Sequence, residues 1–270
     1  MAFAMPCHAE PANDRLGLDR PDPTRPGSIA ALKARVRRLE KGRALDASRT
    51  VPLGVAAIDR LLPGGGLAQA RVHEVVGDGS ERDGAAAGFT LLLIARLMRR
   101  VPGPVLWCGR HLDLDGPGLA RLGIDTSRLI LVRARETTDI LWAMEEGLRT
   151  ASLAAVAGEL TRPIDLTQSR RLQLAAEAGG ATGLILRPAR PEAGTPSAVE
   201  TRWRVASELG KPSAEAVGVG RTTWRLTLER CRGGASAEWI VELDDATGDL
   251  ALAAAVCDRP ARSAPFSLAV

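Results

Sequence analysis

The sequence predicts an α/β fold, a mostly parallel sheet flanked by helices, with antiparallel edge strands near the C-terminus. Three observations predict it. Between residues 71 and 186, apolar runs of strand length alternate with segments of helical period, the pattern of a parallel sheet covered on both faces. Over 71–100, a buried-strand pattern, a glycine-rich loop and a helix follow one another. After Pro188 the period changes to two: in 223–230, Trp224, Leu226 and Leu228 alternate with Arg225, Thr227 and Glu229, as in a half-buried antiparallel strand.

The elements follow in order. Residues 1–27 hold five prolines and little apolar periodicity and read as a disordered leader. Ser28 is an N-cap signal, and Ile29, Leu32, Val36 and Leu39 form a short apolar seam among Lys33, Arg35, Arg37, Arg38, Lys41 and Arg43. Residues 28–50 therefore read as a basic amphipathic helix and linker, lying either on its own domain or on a partner. The main domain is expected over 51–257. It opens with a short amphipathic helix and a glycine turn over 52–67, then a strand over 71–76 and a helix over 85–100. Further strands are expected over 104–108, 129–132, 152–157 and 182–186. Helices are expected over 119–123, 137–150 and 166–178; in the second, Ile140, Leu141, Met144 and Leu148 share a face. A loop over 188–200 leads to strands over 201–207, 221–230 and 238–243. Residues 258–270 read as a flexible tail.

Strand, glycine loop and helix is the setting of a phosphate-binding loop, whose pattern is G-x-x-x-x-G-K-[ST]. Here Gly77, Gly79 and Gly84 supply the outline, but the spacing from Gly77 to Gly84 is two residues too long. Ala85, Ala86 and Ala87 stand where Lys and Ser/Thr belong, and Asp78, Glu81 and Asp83 lie in the loop. A triphosphate needs backbone N–H donors and a cationic Lys. This loop lacks the Lys and repels anions, so no nucleotide cofactor is expected. Arg82 as a substitute is opposed by its acidic neighbours.

Composition bounds the remaining options. The chain has 270 residues, 45% of them hydrophobic, and a net charge of +4, which permits nucleic-acid contact without arguing for it. Cys7, Cys108, Cys231 and Cys257 are scattered with no C-x-x-C, so neither a zinc site nor a disulfide framework is indicated. Cys108 and His111 lack a second ligand pair. His73, in a predicted buried strand, reads as a core histidine. No G-x-S-x-G element occurs, which removes the commonest hydrolase reading. No run approaches the ~20 apolar residues of a membrane span, and the N-terminus lacks the basic-then-apolar pattern of a secretory signal. A cytoplasmic protein is expected.

The order of elements resembles the RecA-like ATPase core. Within that superfamily the chain is similar to the ImuA family, RecA-like accessory proteins of bacterial mutagenic repair. The likeness covers roughly residues 28–256. It rests on Ala154-Ala155-Val156-Ala157-Gly158-Glu159-Leu160, on Thr201-Arg202-Trp203-Arg204-Val205, and on the Trp224 strand ending in Arg230-Cys231-Arg232-Gly233-Gly234 with Glu238-Trp239. The resemblance implies a degenerate RecA-like domain induced in the SOS response. Its implied partners are an ImuB-like Y-family polymerase homologue and an error-prone DnaE-type polymerase, together copying past damaged bases. Against the RecA-like pattern, the P-loop Lys is absent, Gly109 and Arg110 stand where a water-activating Glu belongs, and the strand from 152 ends in Gly158-Glu159 rather than a Walker-B Asp. Glu159 reads as a cap or helix start rather than a metal ligand.

A non-catalytic scaffold is thus expected, with no catalytic and no metal-binding residues. A second reading is a single-stranded DNA-binding module in which Arg202, Arg204, Arg225, Arg230 and Arg232 meet phosphates and the interleaved tryptophans stack on bases. Its counterpart is a core of tryptophans with a solvated arginine face. Cell-division inhibitors of the SulA type also look similar but are shorter.

Overall fold

A computed structural model describes residues 49–79, 84–187, 196–210, 221–244 and 247–253. The chain divides into two units, Met1–Arg43 and Ala44–Val270, and every described residue belongs to the second. The leader, the helix expected within residues 28–50 with Ile29, Leu32, Val36 and Leu39, and the tail lie outside the described residues.

A nine-stranded sheet organises the domain. Its strands are β3 (Val72–Gly77), β4 (Val105–Gly109), β5 (Leu129–Arg133), β6 (Ala155–Glu159), β7 (Thr182–Arg187), β8 (Thr201–Glu208), β9 (Thr223–Cys231), β10 (Ala237–Asp244) and β11 (Asp249–Leu252). Their order across the sheet is β11-β10-β9-β8-β3-β7-β6-β4-β5. From β5 to β8 neighbours are parallel; from β8 to β11 they are antiparallel. The expected architecture is therefore the observed one. Two short strands, β1 (Thr50–Val51) and β2 (Leu67–Ala68), form a separate antiparallel ribbon, joined through the four-residue helix α1 (Ala56–Asp59).

The helices occupy both faces. They are α2 (Ala85–Arg100), α3 (Gly116–Arg121), α4 (Thr137–Arg149) and α5 (Leu166–Gly179). One core joins α2 to the sheet through Phe89, Leu93, Trp107, Trp203, Trp224 and Leu226. The other joins α4 and α5 to the sheet through Met144, Leu148, Val156, Leu172 and Ile185. Strand alternation divides them: Ala155 and Ala157 enter the first core, Val156 the second. Burying each large apolar side chain contributes roughly 1.5–3 kcal/mol.

Polar groups fix the helix ends. Asp165 and Gln168 form a reciprocal capping box on α5, and Gly180, at φ 89°, ends that helix in the left-handed conformation that favours glycine. At the end of α2, the Arg128 guanidinium donates to Met98 O at 2.9 Å, Val101 O at 2.8 Å and Gly103 O at 2.9 Å. It satisfies carbonyls the helix leaves orphaned. Gly103 permits this turn, because a Cβ there would lie 2.1 Å from Ser152 O.

His73 is the buried histidine of β3. Its Nε2 lies 2.8 Å from Ala68 O, which only accepts, so Nε2 carries the hydrogen. Nδ1 then accepts from the Thr201 hydroxyl at 2.8 Å, and Thr201 Oγ1 accepts the Trp203 indole N–H at 2.9 Å. Burial lowers the His73 pKa from 6.5 to about 4. The unfolded chain therefore binds the proton first as pH falls. Stability present above pH 6.5 is lost between 6.5 and about 4, a loss of about 3 kcal/mol. Denaturant unfolding across that window should show the slope in the wild type and its loss in His73→Gln. Parallel slopes would refute this assignment.

Candidate functional site at the carboxyl ends of the parallel strands

In an open parallel sheet, ligands meet the carboxyl ends of the strands. β3 ends at Gly77, and Asp78 and Gly79 follow, with Gly79 at φ 104°. Ser80–Asp83 lie outside the described residues. Gly84 precedes α2 and makes no side-chain cap bond. Ala85 and Ala86, at the start of α2, are 4% and 3% exposed. A Cβ on Gly88 would lie 2.9 Å from Trp224 Cζ2. The first turns of α2 are thus committed to the core.

At the end of β4, glycine lets a carboxylate approach: a Cβ on Gly109 would lie 3.2 Å from Glu159 Oε2. Burial raises the Glu159 pKa; His111 opposes that rise and Asp113 adds to it. Glu159 is neither cap nor helix start, contrary to the sequence expectation. It is the last residue of β6, and Asp165 caps α5. Cys108 is fully buried, its thiol pushed up to about 11 by burial. No cluster of three His, Cys, Asp or Glu side chains among the described residues is arranged to hold a metal.

The arginine–tryptophan segments lie elsewhere. Glu74, at the centre of β3, is 1% exposed between two guanidiniums. Arg187 donates to Oε1 through Nε at 2.7 Å, and Arg202 to Oε2 through Nε at 2.5 Å. Arg202 is therefore a core residue rather than a surface DNA contact. Arg204 is paired with Glu229, and Arg225 with Glu208, with Glu238 3.8 Å away. Arg230 donates to Val199 O at 3.3 Å. Arg232 is half-buried, and its backbone N–H donates to Glu200 O. Trp203 and Trp224 are buried, and Trp239 lies against Trp203 with ring centroids 6.2 Å apart. The counterpart reading, core tryptophans beside an arginine face, describes this region; on that face Arg204 and Arg225 are ion-paired.

Sequence reasoning did not bring four residues together, and of them it had named only Arg110. Arg110 follows β4, Arg135 lies between β5 and α4, and Arg162 lies between β6 and α5; all three are exposed. Because β6, β4 and β5 are neighbours in that order, their carboxyl-end loops converge, and all three arginines line one cavity of about 340 Å³. Trp142 on α4 is 66% exposed. Its signal was visible: it falls off the apolar face carried by Ile140, Met144 and Leu148.

No protein-family model matches the chain. Over 203 residues it is 42% identical to Protein ImuA of Caulobacter vibrioides strain NA1000 / CB15N, covering 72% of this chain and 83% of that protein. The counterpart from strain ATCC 19089 / CB 15 aligns equally. The chain belongs to the ImuA family. A second, partial likeness is to cell division inhibitor SulA of Edwardsiella piscicida, 31% identical over 108 residues, 39% of this chain and 64% of that protein. The ImuA alignment is the longer of the two and at the higher identity.

Proposed function

We propose that this chain is a non-catalytic accessory protein of SOS-induced, error-prone translesion DNA synthesis, built on a degenerate RecA-like domain and acting in the cytoplasm. In this reading it bridges an ImuB-like polymerase homologue and a DnaE-type polymerase. Family membership supports the accessory role. The observation that carries the non-catalytic part is the buried Ala85-Ala86 pair at the start of α2, followed by Gly88 packed against Trp224, where phosphate chemistry requires a Lys and a hydroxyl. Among the described residues, no helix is long and apolar enough to cross a membrane, which agrees with a cytoplasmic role.

The docking edge assigned to the polymerase homologue is β5. Among the described residues this strand pairs on one side only, with β4. Ile130 and Leu131 are 45% and 46% exposed on its two faces. An open strand edge with apolar side chains is a template for strand addition. Residues 28–50 are the second proposed docking element.

The test uses the full chain. Capture of the ImuB-like protein should fall at least about tenfold in Leu131→Lys, the size of an interface hot spot. No turnover of ATP with Mg²⁺ is expected, with or without single-stranded DNA. Unchanged capture by Leu131→Lys would remove β5 as the docking edge. DNA-stimulated hydrolysis lost in Glu159→Gln would overturn the non-catalytic reading.

A further inference from the structure

Two cavities, of about 340 Å³ and about 280 Å³, share Thr138 and Gln168 in their walls. They form one groove along the amino-terminal halves of α4 and α5. Its wide end carries Arg110, Arg135 and Arg162, none of which has an ion pair among the described residues. Its other end carries Trp142. We infer that this groove binds single-stranded nucleic acid, with the three arginines on the phosphodiester backbone and Trp142 stacked on a base.

Charge favours that occupant. The groove's walls hold four arginines, the fourth being Arg171, against Glu136 and Glu145. Glu145 is already paired, 2.5 Å from both Arg149 and Arg171. Among the described residues Glu136 has no ion pair. At the amino terminus of α4 no side chain caps the first-turn N–H groups, and the carboxylates of Glu136 and Asp139 there offset the positive end of the helix. Free guanidiniums from three successive strand–helix connections suit a chain of phosphates better than one compact anion.

The aromatic end selects for a single strand. Trp142 lies one helical turn beyond Thr138, about 6 Å along the axis of α4. The remaining tryptophans with a described side chain are buried or half-buried. An exposed indole at the end of a basic groove is a stacking platform for an unpaired base, and a duplex keeps its bases stacked internally. This reading does not depend on the polymerase partner or on β5.

The experiment is fluorescence anisotropy of labelled oligo(dT) with the full-length protein across a salt series. The variants are Arg110→Ala/Arg135→Ala/Arg162→Ala, Trp142→Ala and, as a control, Arg204→Ala/Arg225→Ala. All substituted positions outside the control are exposed, so unfolding temperatures should be unchanged. The triple variant should lower the magnitude of the salt slope by about 2, the contribution of three single-strand phosphates. Trp142→Ala should weaken binding about 5- to 100-fold, and the control should bind as the wild type does. The inference is overturned by absence of binding, or by binding that the control variant weakens and the groove variants do not. Loss in the arginine variant with no change in Trp142→Ala would also overturn it, leaving a site for free anions. So would thymidine monophosphate competing as well as the oligonucleotide, which would mark a mononucleotide site.

Discussion

Glu74→Ala is expected to destabilise the main domain by about 3–5 kcal/mol, the cost of removing one partner from a buried ion cluster. Glu74 lies on β3, the strand between β7 and β8, and its two oxygens take Arg187 from one side and Arg202 from the other. Without it, two guanidiniums remain in a dry sheet with no counter-charge. Arg187 is already under strain of this kind, since its Nη1 is buried with no hydrogen-bond partner. For a domain of this size the melting temperature should fall by roughly 10 °C or more. Removing the whole cluster should cost much less, because Glu74→Leu/Arg187→Met/Arg202→Leu leaves no unpaired charge. Calorimetry on the two variants separates these cases. A triple variant as unstable as the single one would mean that packing, not charge, holds β3 to its neighbours.

This cluster marks the limit of what the sequence discloses. The helical period and its polar ends placed α2 at residues 85–100, as observed. The change to period two placed the antiparallel strands β8, β9 and β10. Those signals are local. The two-residue strands β1 and β2 are shorter than any period, and β11 follows a tight turn at Gly248, φ 68°, with too few residues to alternate. Arg202 illustrates the larger gap. Its partner Glu74 is 128 positions away, and only the parallel pairing of β8 with β3 brings them together. The same topology gathers Arg110, Arg135 and Arg162 from three loops.

Trp203→Ala is expected to cost a further case of about 3–5 kcal/mol, as for other buried aromatic truncations. Trp203 is fully buried on β8, with the Phe89 ring 5.6 Å away at 57° and the Trp239 ring 6.2 Å away at 36°. Its truncation opens a cavity between α2 and the sheet and removes the N–H that binds Thr201. Trp203→Phe keeps much of the apolar volume. It also leaves Thr201 free to donate to His73, so its cost should be nearer 1–2 kcal/mol. The comparison bears on function because Trp203 sits in the Arg202-Trp203-Arg204 segment, for which nucleic-acid contact was one sequence expectation. If that segment acts through stability, Trp203→Phe should retain capture of the polymerase homologue and binding of oligo(dT) while melting a few degrees earlier. Loss of either binding activity with the melting temperature preserved would place the segment in a contact surface instead.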